Sequence, residues 1–221
     1  MVLCRLCNSK VIPFTIYKGR EYHRCPKCYL IQLLRSQCPS LEEEQREYQL
    51  HINDPYDERY RRYLQPVTNS MLEWLQKKKI QQPRILDFGS GPGPTISVVL
   101  EEQGWSVTNY DPFFSPETKV LQEQYDVISC TEVVEHFYEP KTSWEQLLAL
   151  RNEQGSIIVM TQCSDSYSRE ETFHKWRYIR EKSHVVFYHS QTMHWIAKHY
   201  GLQLSVLTPS VFVFSEDVDS L

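Results

Sequence analysis

Arg84-Ile-Leu-Asp-Phe-Gly-Ser-Gly-Pro-Gly93 is the stretch on which the fold turns. Ile85-Leu-Asp-Phe88 reads as a short strand, and Gly89 to Gly93 lead out of it into a helical pattern that ends before Gly104. Glycines let the backbone take conformations closed to other residues and let a ligand approach it, while an opening helix offers unpaired N–H groups. Taken alone, such a turn fits a structural bend, a dinucleotide site or another nucleotide-like ligand.

Outward from that turn, strands and helices alternate, which is how a parallel sheet with helical crossovers is written in sequence. Trp105–Tyr110 and Tyr125–Cys130 read as the next strands, Thr142–Leu150 as a helix and Ser156–Thr161 as a fourth strand. An irregular stretch rich in Ser, Arg, His and aromatics runs to about His189. The following helix, Gln191–Tyr200, has Ser190 as its expected cap and Gly201 as its stop. Leu202–Leu207 and Val211–Phe214 flank Thr208-Pro-Ser210 and suit an antiparallel hairpin at the sheet edge. On the other side of the turn, residues 40–80 read as helical. Ser40 is the expected cap of a first helix, a second runs from about Pro66 to Leu75, and Asn53-Asp-Pro-Tyr56 breaks the two.

The first residues carry a different signal. Cys4-x-x-Cys7 and Cys25-x-x-Cys28 are separated by seventeen residues, within the spacing that marks a zinc site. Two cysteines on one tight turn can aim both thiolates at one ion, and two such turns complete a tetrahedron with Zn–S bonds of about 2.3 Å. Four thiolates leave no open position, so the expected zinc is structural. The segment has few apolar groups of its own, and four cysteines that are merely buried together are the alternative. Cys38, Cys130 and Cys163 are scattered as reduced thiols are.

The next strand ends in Tyr110-Asp111-Pro-Phe113, about twenty residues past the glycines, where an acidic side chain can accept from both hydroxyls of a ribose. With this block on the page, D-F-G-S-G-P-G followed by Y-D-P resembles the first two motifs of class I S-adenosylmethionine-dependent methyltransferases. Tyr125-Asp-Val-Ile-Ser-Cys-Thr-Glu-Val-Val-Glu-His-Phe137 resembles a third. The resemblance spans about residues 84–140, and a zinc-ribbon preface occurs in some relatives. It implies an α/β, Rossmann-like sheet, mostly parallel with an antiparallel C-terminal hairpin, behind a small zinc ribbon. It further implies that Gly89, Ser90, Gly91 and Gly93 hold the methionine part, that Asp87 orients their turn and that Asp111 binds ribose. Pro112 and Phe113 border the adenine, and Cys130, Thr131 and Glu132 pass beside the cofactor. Only fourteen residues separate Asp111 from Asp126, where members fit a helix, a strand and a further helix, so one strand is expected to be lost.

The expected organisation is a ribbon over 1–38, a helical linker or lid over 39–80 and the methyltransferase domain over 81–221. His184-Val-Val-Phe-Tyr-His-Ser-Gln-Thr192 resembles the passage before the late helix of related enzymes, which makes His184 the first candidate for the acceptor side. His136 and Tyr188 follow it, and Glu135 with His136 suits either a direct role or local packing. Tyr48, His51, Tyr56, Tyr60 and Tyr63 are candidates for a lid. Asn53-Asp-Pro-Tyr56 lacks the second proline of a base-methylating signature and reads as a turn.

With 221 residues, 41% hydrophobic, there is room for one α/β domain and an appendage. A net charge of -4 argues against holding a nucleic-acid backbone by bulk electrostatics. The acceptor is therefore expected to be a small molecule. The alternatives are RNA or protein docked on the ribbon, or a non-catalytic adaptor that only binds the cofactor. A G-x-G-x-G order disfavours a nicotinamide site. No apolar run suggests a signal peptide or membrane span, so a cytoplasmic protein is expected. The sequence does not reveal an oligomeric state.

Overall fold

In the computed structural model, which describes residues 2–49 and 53–216, the chain begins with two turns of the same construction. The N–H of Asn8 donates to Cys4 O and that of Tyr29 to Cys25 O, each four residues past the first cysteine of its pair. Both Asn8 and Tyr29 take positive φ, at 57° and 64°. The two turns meet beside a meander of β1 (Ile12–Tyr17), β2 (Arg20–Arg24) and β3 (Ile31–Leu33).

Next come α1 (Leu41–Tyr48) and α2 (Glu58–Lys78). Ser40 and Glu43 form a reciprocal capping box on α1, as an N-cap Ser with an acid three residues on should. The second helix starts eight residues earlier than Pro66, capped by the Asp57 side chain. An interior proline costs about 3 kcal/mol. Here Leu64, Val67, Met71, Trp74 and Leu75 form a buried stripe that runs across it, and each such side chain gains about 1.5–3 kcal/mol on burial. The stripe outweighs the break.

The main sheet contains β4 (Ile85–Phe88), β5 (Val107–Tyr110), β6 (Tyr125–Thr131) and β7 (Arg151–Met160), then β9 (Gln203–Thr208) and β10 (Val211–Ser215). Its order is β5-β4-β6-β7-β10-β9, parallel from β5 to β7 and antiparallel beyond. The hairpin is present, with β10 inside the sheet and β9 at its edge. Between β5 and β6 the described residues hold no further strand. A bridge from Asp111 to Ser115 and a 3-10 helix at Thr118–Gln122 make the connection.

Alternation along the buried strands sorts two layers. Ile158, Met160, Val211 and Val213 face α2 and α3 (Thr95–Glu101). Ile157, Val159, Phe212 and Phe214 face Trp144 and Leu147 of α4 (Pro140–Ala149) and Met193 and Ile196 of α6 (Ser190–Tyr200). His189, rather than Ser190, caps α6, its ring nitrogen accepting from Gln191 N.

The stretch after β7 contains the short α5 (Glu170–Phe173) and β8 (Val186–Phe187), and β8 pairs with β3 of the N-terminal meander. A third apolar cluster joins Tyr22, Ile31 and Leu33 of that meander to Phe173, Trp176, Tyr178, Val185 and Phe187. The cysteine-bearing segment and the post-β7 stretch are thus halves of one small sheet and core. Among the described residues no helix is long and apolar enough to cross a membrane.

Candidate functional site

At the carboxyl ends of β4, β5 and β6 opens a cavity of about 1100 Å³, the position where an open α/β sheet takes its ligands. Gly89 and Gly91 form its floor with φ of 79° and 64°. A side chain on Gly89 would put its Cβ 2.3 Å from Val133 Cγ2, and one on Gly93 would stand 1.7 Å from the Asn53 carbonyl oxygen. The cradle is therefore closed to any residue with a Cβ at these two positions. Asp87 lies beneath it, buried, accepting from Ser129 Oγ at 2.7 Å, and burial raises its carboxyl to about 6.

Asp111 has a structural task that its position in sequence does not reveal. Its Oδ2 accepts from Gly91 N at 3.0 Å and its Oδ1 from Phe113 N and Phe114 N at 2.8 and 3.0 Å. The carboxylate pins the glycine turn to the turn after β5. Pro112 and Phe113 line the cavity beside it, as do Ser90, Thr131 and Glu132.

Cys130 is not in the wall. It is fully buried in the core, where burial holds its thiol well above the ordinary range, and the chain reaches the cavity only with Thr131 and Glu132 after it. Tyr188 is likewise displaced from the acceptor side. Its hydroxyl, at zero exposure, accepts from Trp144 Nε1 at 3.0 Å and donates to Val134 O at 3.1 Å. Both bonds serve the core, and burial raises its phenol well above the usual value. His174 sits away from the cavity with Thr15 Oγ1 at 2.8 Å.

The far wall contains His136, Tyr178 and His184. His136 Nδ1 is 3.1 Å from Ser183 O, and His184 Nδ1 is 2.8 Å from Tyr178 O. A carbonyl can only accept, so in both rings Nδ1 carries the proton, and in the neutral ring Nε2 carries the lone pair. His184 Nε2 lies 4.0 Å from Glu135 Oε1. Glu135 is fully buried, accepting from Thr161 Oγ1 at 3.0 Å and from the Tyr178 hydroxyl, and burial together with the Glu132 charge holds its carboxyl well above the usual range. Glu132 takes a positive φ of 54° and burial pushes it up to about 7, against the Tyr63 and Tyr178 hydroxyls that favour its ionised form.

Aromatic and polar groups of α1 and α2 line the near side. Tyr48 of α1 stacks loosely between Phe113 and His136, at 5.7 and 5.1 Å between ring centres, and Tyr60 and Tyr63 of α2 line the cavity. Tyr56 is exposed and outside the wall, and His51 falls outside the described residues. Glu44, Asn53 and Tyr138 also line the cavity, and no spacing rule singles them out. Glu44 is hidden in an acidic run whose other members face solvent. Asn53 belongs to the stretch that reads only as a turn.

Burial pushes the Glu44 carboxyl up to about 7. A raised carboxyl means that the folded state holds its proton over a pH range in which the unfolded state has lost it, so stability falls as pH rises from about 4.5 to about 7. Glu44→Gln is expected to flatten that part of the Tm-versus-pH curve and to stabilise the protein at pH 8 by up to about 3 kcal/mol. Calorimetric scans of both proteins between pH 5 and pH 8 check this.

The four cysteine sulfurs lie within 4.8 Å of one another, Cys4 to Cys28 at 3.5 Å and Cys7 to Cys25 at 3.4 Å. A tetrahedron with 2.3 Å bonds has edges of about 3.8 Å, so the cluster suits a zinc ion. His23 and Cys38 stand outside it, His23 with Glu21 and Cys38 with Arg5. Arg5, inside the first cysteine turn, donates to Leu33 O at 3.0 Å, Val185 O at 3.1 Å and Tyr138 O at 2.5 Å. One guanidinium thereby ties the cysteine cluster to both sides of the far wall.

A Rossmann-like sheet, a glycine cradle at the end of its first strand and an acid at the end of the second are the frame of a nucleotide-type cofactor site. Residues 56–206 match the family described as a methyltransferase domain, and the chain belongs to that family. Its fold is shared with magnesium protoporphyrin IX methyltransferase from Synechocystis PCC 6803, solved with S-adenosylhomocysteine. The TM-score is 0.51 at 13% identity, over 80% of this chain and 94% of that one. An O-methyltransferase family protein from Burkholderia thailandensis gives 0.53 at 12% identity, over 83% and 69%. The plantazolicin methyltransferase BpumL, in complex with a triazolic desmethylPZN analog and S-adenosylhomocysteine, gives 0.50 at 15% identity, over 83% and 93%. No curated protein matches the chain at the level of sequence. The protein is an S-adenosylmethionine-dependent methyltransferase.

Proposed function

We propose that this methyltransferase acts on the hydroxyl of a small-molecule acceptor, with the cofactor on the glycine cradle and the acceptor against His136 and His184. The observation that carries the reading is the cavity. It is lined by aromatic rings and larger than one drug-sized ligand requires, so it suits donor and acceptor side by side. Bound there, S-adenosylmethionine supplies a methyl group on a sulfonium, and its transfer to the acceptor oxygen leaves S-adenosylhomocysteine.

The chain's own residues have three tasks in this reading. Gly89, Ser90 and Gly91 give the methionine part a bare backbone to lie on, and Gly93 keeps that turn tight under Asn53. Asp111, with Phe113 and Pro112, takes the ribose and adenine, using lone pairs that its three backbone N–H bonds leave over. Thr131 and Glu132 border the reacting end. A displacement of this kind needs alignment above all, and a hydroxyl also needs a group to relieve it of its proton. The basic groups in the cavity wall for that purpose are the imidazoles of His136 and His184. The zinc in this reading is structural, held by Cys4, Cys7, Cys25 and Cys28.

Asp111→Ala is expected to weaken S-adenosylhomocysteine binding by about 1.5–3 kcal/mol, the cost of removing a charged hydrogen-bond partner. Titration calorimetry on the folded variant reads this, and unchanged affinity would remove the ribose assignment. The acceptor class is tested by mass spectrometry of ligands that copurify with the protein. Retention of an RNA or a peptide instead of a small hydroxylated compound would favour the docking alternative.

A further inference from the structure

We propose that the methyl acceptor is a small phosphate monoester, its phosphate held by Arg177 and Arg180 while its hydroxyl reaches the cofactor. The inference rests on the small-molecule reading above and names the substrate class within it.

Arg177–Arg180 form one turn of 3-10 helix beyond α5. Such a turn repeats every three residues, so side chains at i and i+3 eclipse, and Arg177 and Arg180 leave it on the same side. Both line the cavity. The residues between them, Tyr178 and Ile179, are buried in the apolar cluster shared with the N-terminal meander, so the backbone that carries the arginines is anchored. Neither guanidinium has a hydrogen bond, ion pair or ring contact among the described residues. Arg5, Arg20, Arg35 and Arg61, by contrast, are each engaged by a carbonyl or carboxylate oxygen. Two like charges on one side of a single turn repel, and an anion between them turns that repulsion into attraction.

The positive charge continues past Arg180, which also borders a neighbouring groove of about 560 Å³. Lys18, Arg20, Arg46 and Lys182 line that groove with it, against Glu43 and Glu47. Glu43 is engaged in the capping box of α1, and Glu47 lies 4.0 Å from Lys182. Glu181, the acid that follows the turn, accepts from Ser183 Oγ at 3.3 Å. In a chain of net charge -4 this is a local excess of the opposite sign beside the cavity. A guanidinium presents its N–H groups in a planar fork that matches carboxylate and phosphate alike. Two such forks with further cations beyond them suit a dianion, which favours phosphate.

The same turn holds the histidine. His184 Nδ1 donates to Tyr178 O at 2.8 Å and the His184 backbone N–H to Glu181 O at 3.3 Å, so the chain folds back and sets the imidazole against the turn that bears the arginines. The Tyr178 and His184 rings lie 4.1 Å apart between centres. A molecule gripped by its phosphate at Arg177 and Arg180 therefore has its hydroxyl brought to the wall that His184 lines. Binding energy from that non-reacting end is then available to orient the reacting oxygen for in-line displacement.

The test uses the full chain saturated with S-adenosylhomocysteine and titrates it calorimetrically at pH 8 with phenyl phosphate, benzoate and phenol. The three probes share a ring that the aromatic wall accommodates and differ in charge. Phenyl phosphate is expected to bind about tenfold or more tighter than either of the others, the scale of hydrogen bonds to a charged group. Arg177→Gln and Arg180→Gln should each remove most of that advantage while affinities for phenol and S-adenosylhomocysteine stay as they are. Lys175→Gln, at an exposed cation of the same segment outside the cavity, should leave all four affinities unchanged. Equal affinity for phenyl phosphate and phenol, or an advantage that survives both arginine variants, would overturn the anion site. Benzoate binding as tightly as phenyl phosphate would overturn the phosphate and point to a carboxylate acceptor. Displacement of phenyl phosphate by a short RNA, at concentrations where inorganic phosphate leaves it bound, would bring down the small-molecule reading beneath the proposal. Failure to bind S-adenosylhomocysteine would instead bring down the cofactor reading.

Discussion

His184→Asn is expected to lower the rate of methyl transfer by about 10²- to 10⁴-fold, the usual contribution of a group that activates the reacting hydroxyl. Cofactor affinity should change little, because the ring borders the far wall of the cavity and not the glycine cradle. Asparagine can keep the hydrogen bond to Tyr178 O through its amide N–H, so the loop geometry survives. What it loses is the Nε2 lone pair on the opposite side of the ring. Single-turnover rates with any acceptor that the wild type methylates, set beside calorimetry with S-adenosylhomocysteine, read the two effects separately. A rate within threefold of wild type would leave His184 as a packing residue.

Removing the zinc proposed for the four-cysteine cluster, or replacing Cys25 by serine, is expected to disorder the N-terminal module and with it the far wall of the cavity. Structural zinc sites in small modules contribute about 10–16 kcal/mol to folding, comparable with the whole stability of an ordinary domain. Here the module has few alternatives, since Cys4, Cys25 and Cys28 are themselves part of its core. The damage should spread through β3, which pairs with β8, and through Arg5, which caps Leu33, Val185 and Tyr138. Methyl transfer is therefore expected to fail before cofactor binding does. Elemental analysis should find one zinc per chain in protein purified without chelator. Hydrogen exchange should rise at residues 183–188 as well as at 2–33 when it is stripped. Absence of zinc together with unchanged protease resistance of Cys25→Ser would refute the zinc assignment.

The two predictions draw on features that were unequally visible in the amino-acid order. The cysteine spacing and the glycine turn are local, and each is legible because the chemistry demands certain residues within a few positions of one another. The extent of α2 was less visible, because Pro66 speaks locally for a break while the stripe from Leu64 to Leu75 gains its energy only against Ile158 and Val213. Tyr188 illustrates the opposite failure. It stands in a segment that resembles an acceptor-side motif, yet its side chain packs inward on Trp144 while His184, four residues earlier, borders the cavity. On β6 alternation does decide, since Cys130 faces the core and Thr131, the next residue, lines the cavity.

By itself the sequence determined the alternation of strands and helices, the cradle from Gly89 to Gly93, the acid at Asp111, the paired cysteine turns and the shortened connection after Asp111. All of these are set by short-range geometry, by which residues can turn, bond a ligand or cluster within one element. Only the tertiary structure decided that β8 completes the N-terminal sheet and that Glu44 and Asn53 close the cavity. The same holds for the bond by which Asp111 pins the glycine turn and for the protons on His136 and His184, which Ser183 O and Tyr178 O assign. These depend on groups far apart in the chain meeting at one place. Burial and hydrogen bonding there are properties of the whole packed chain, and no window of sequence contains them.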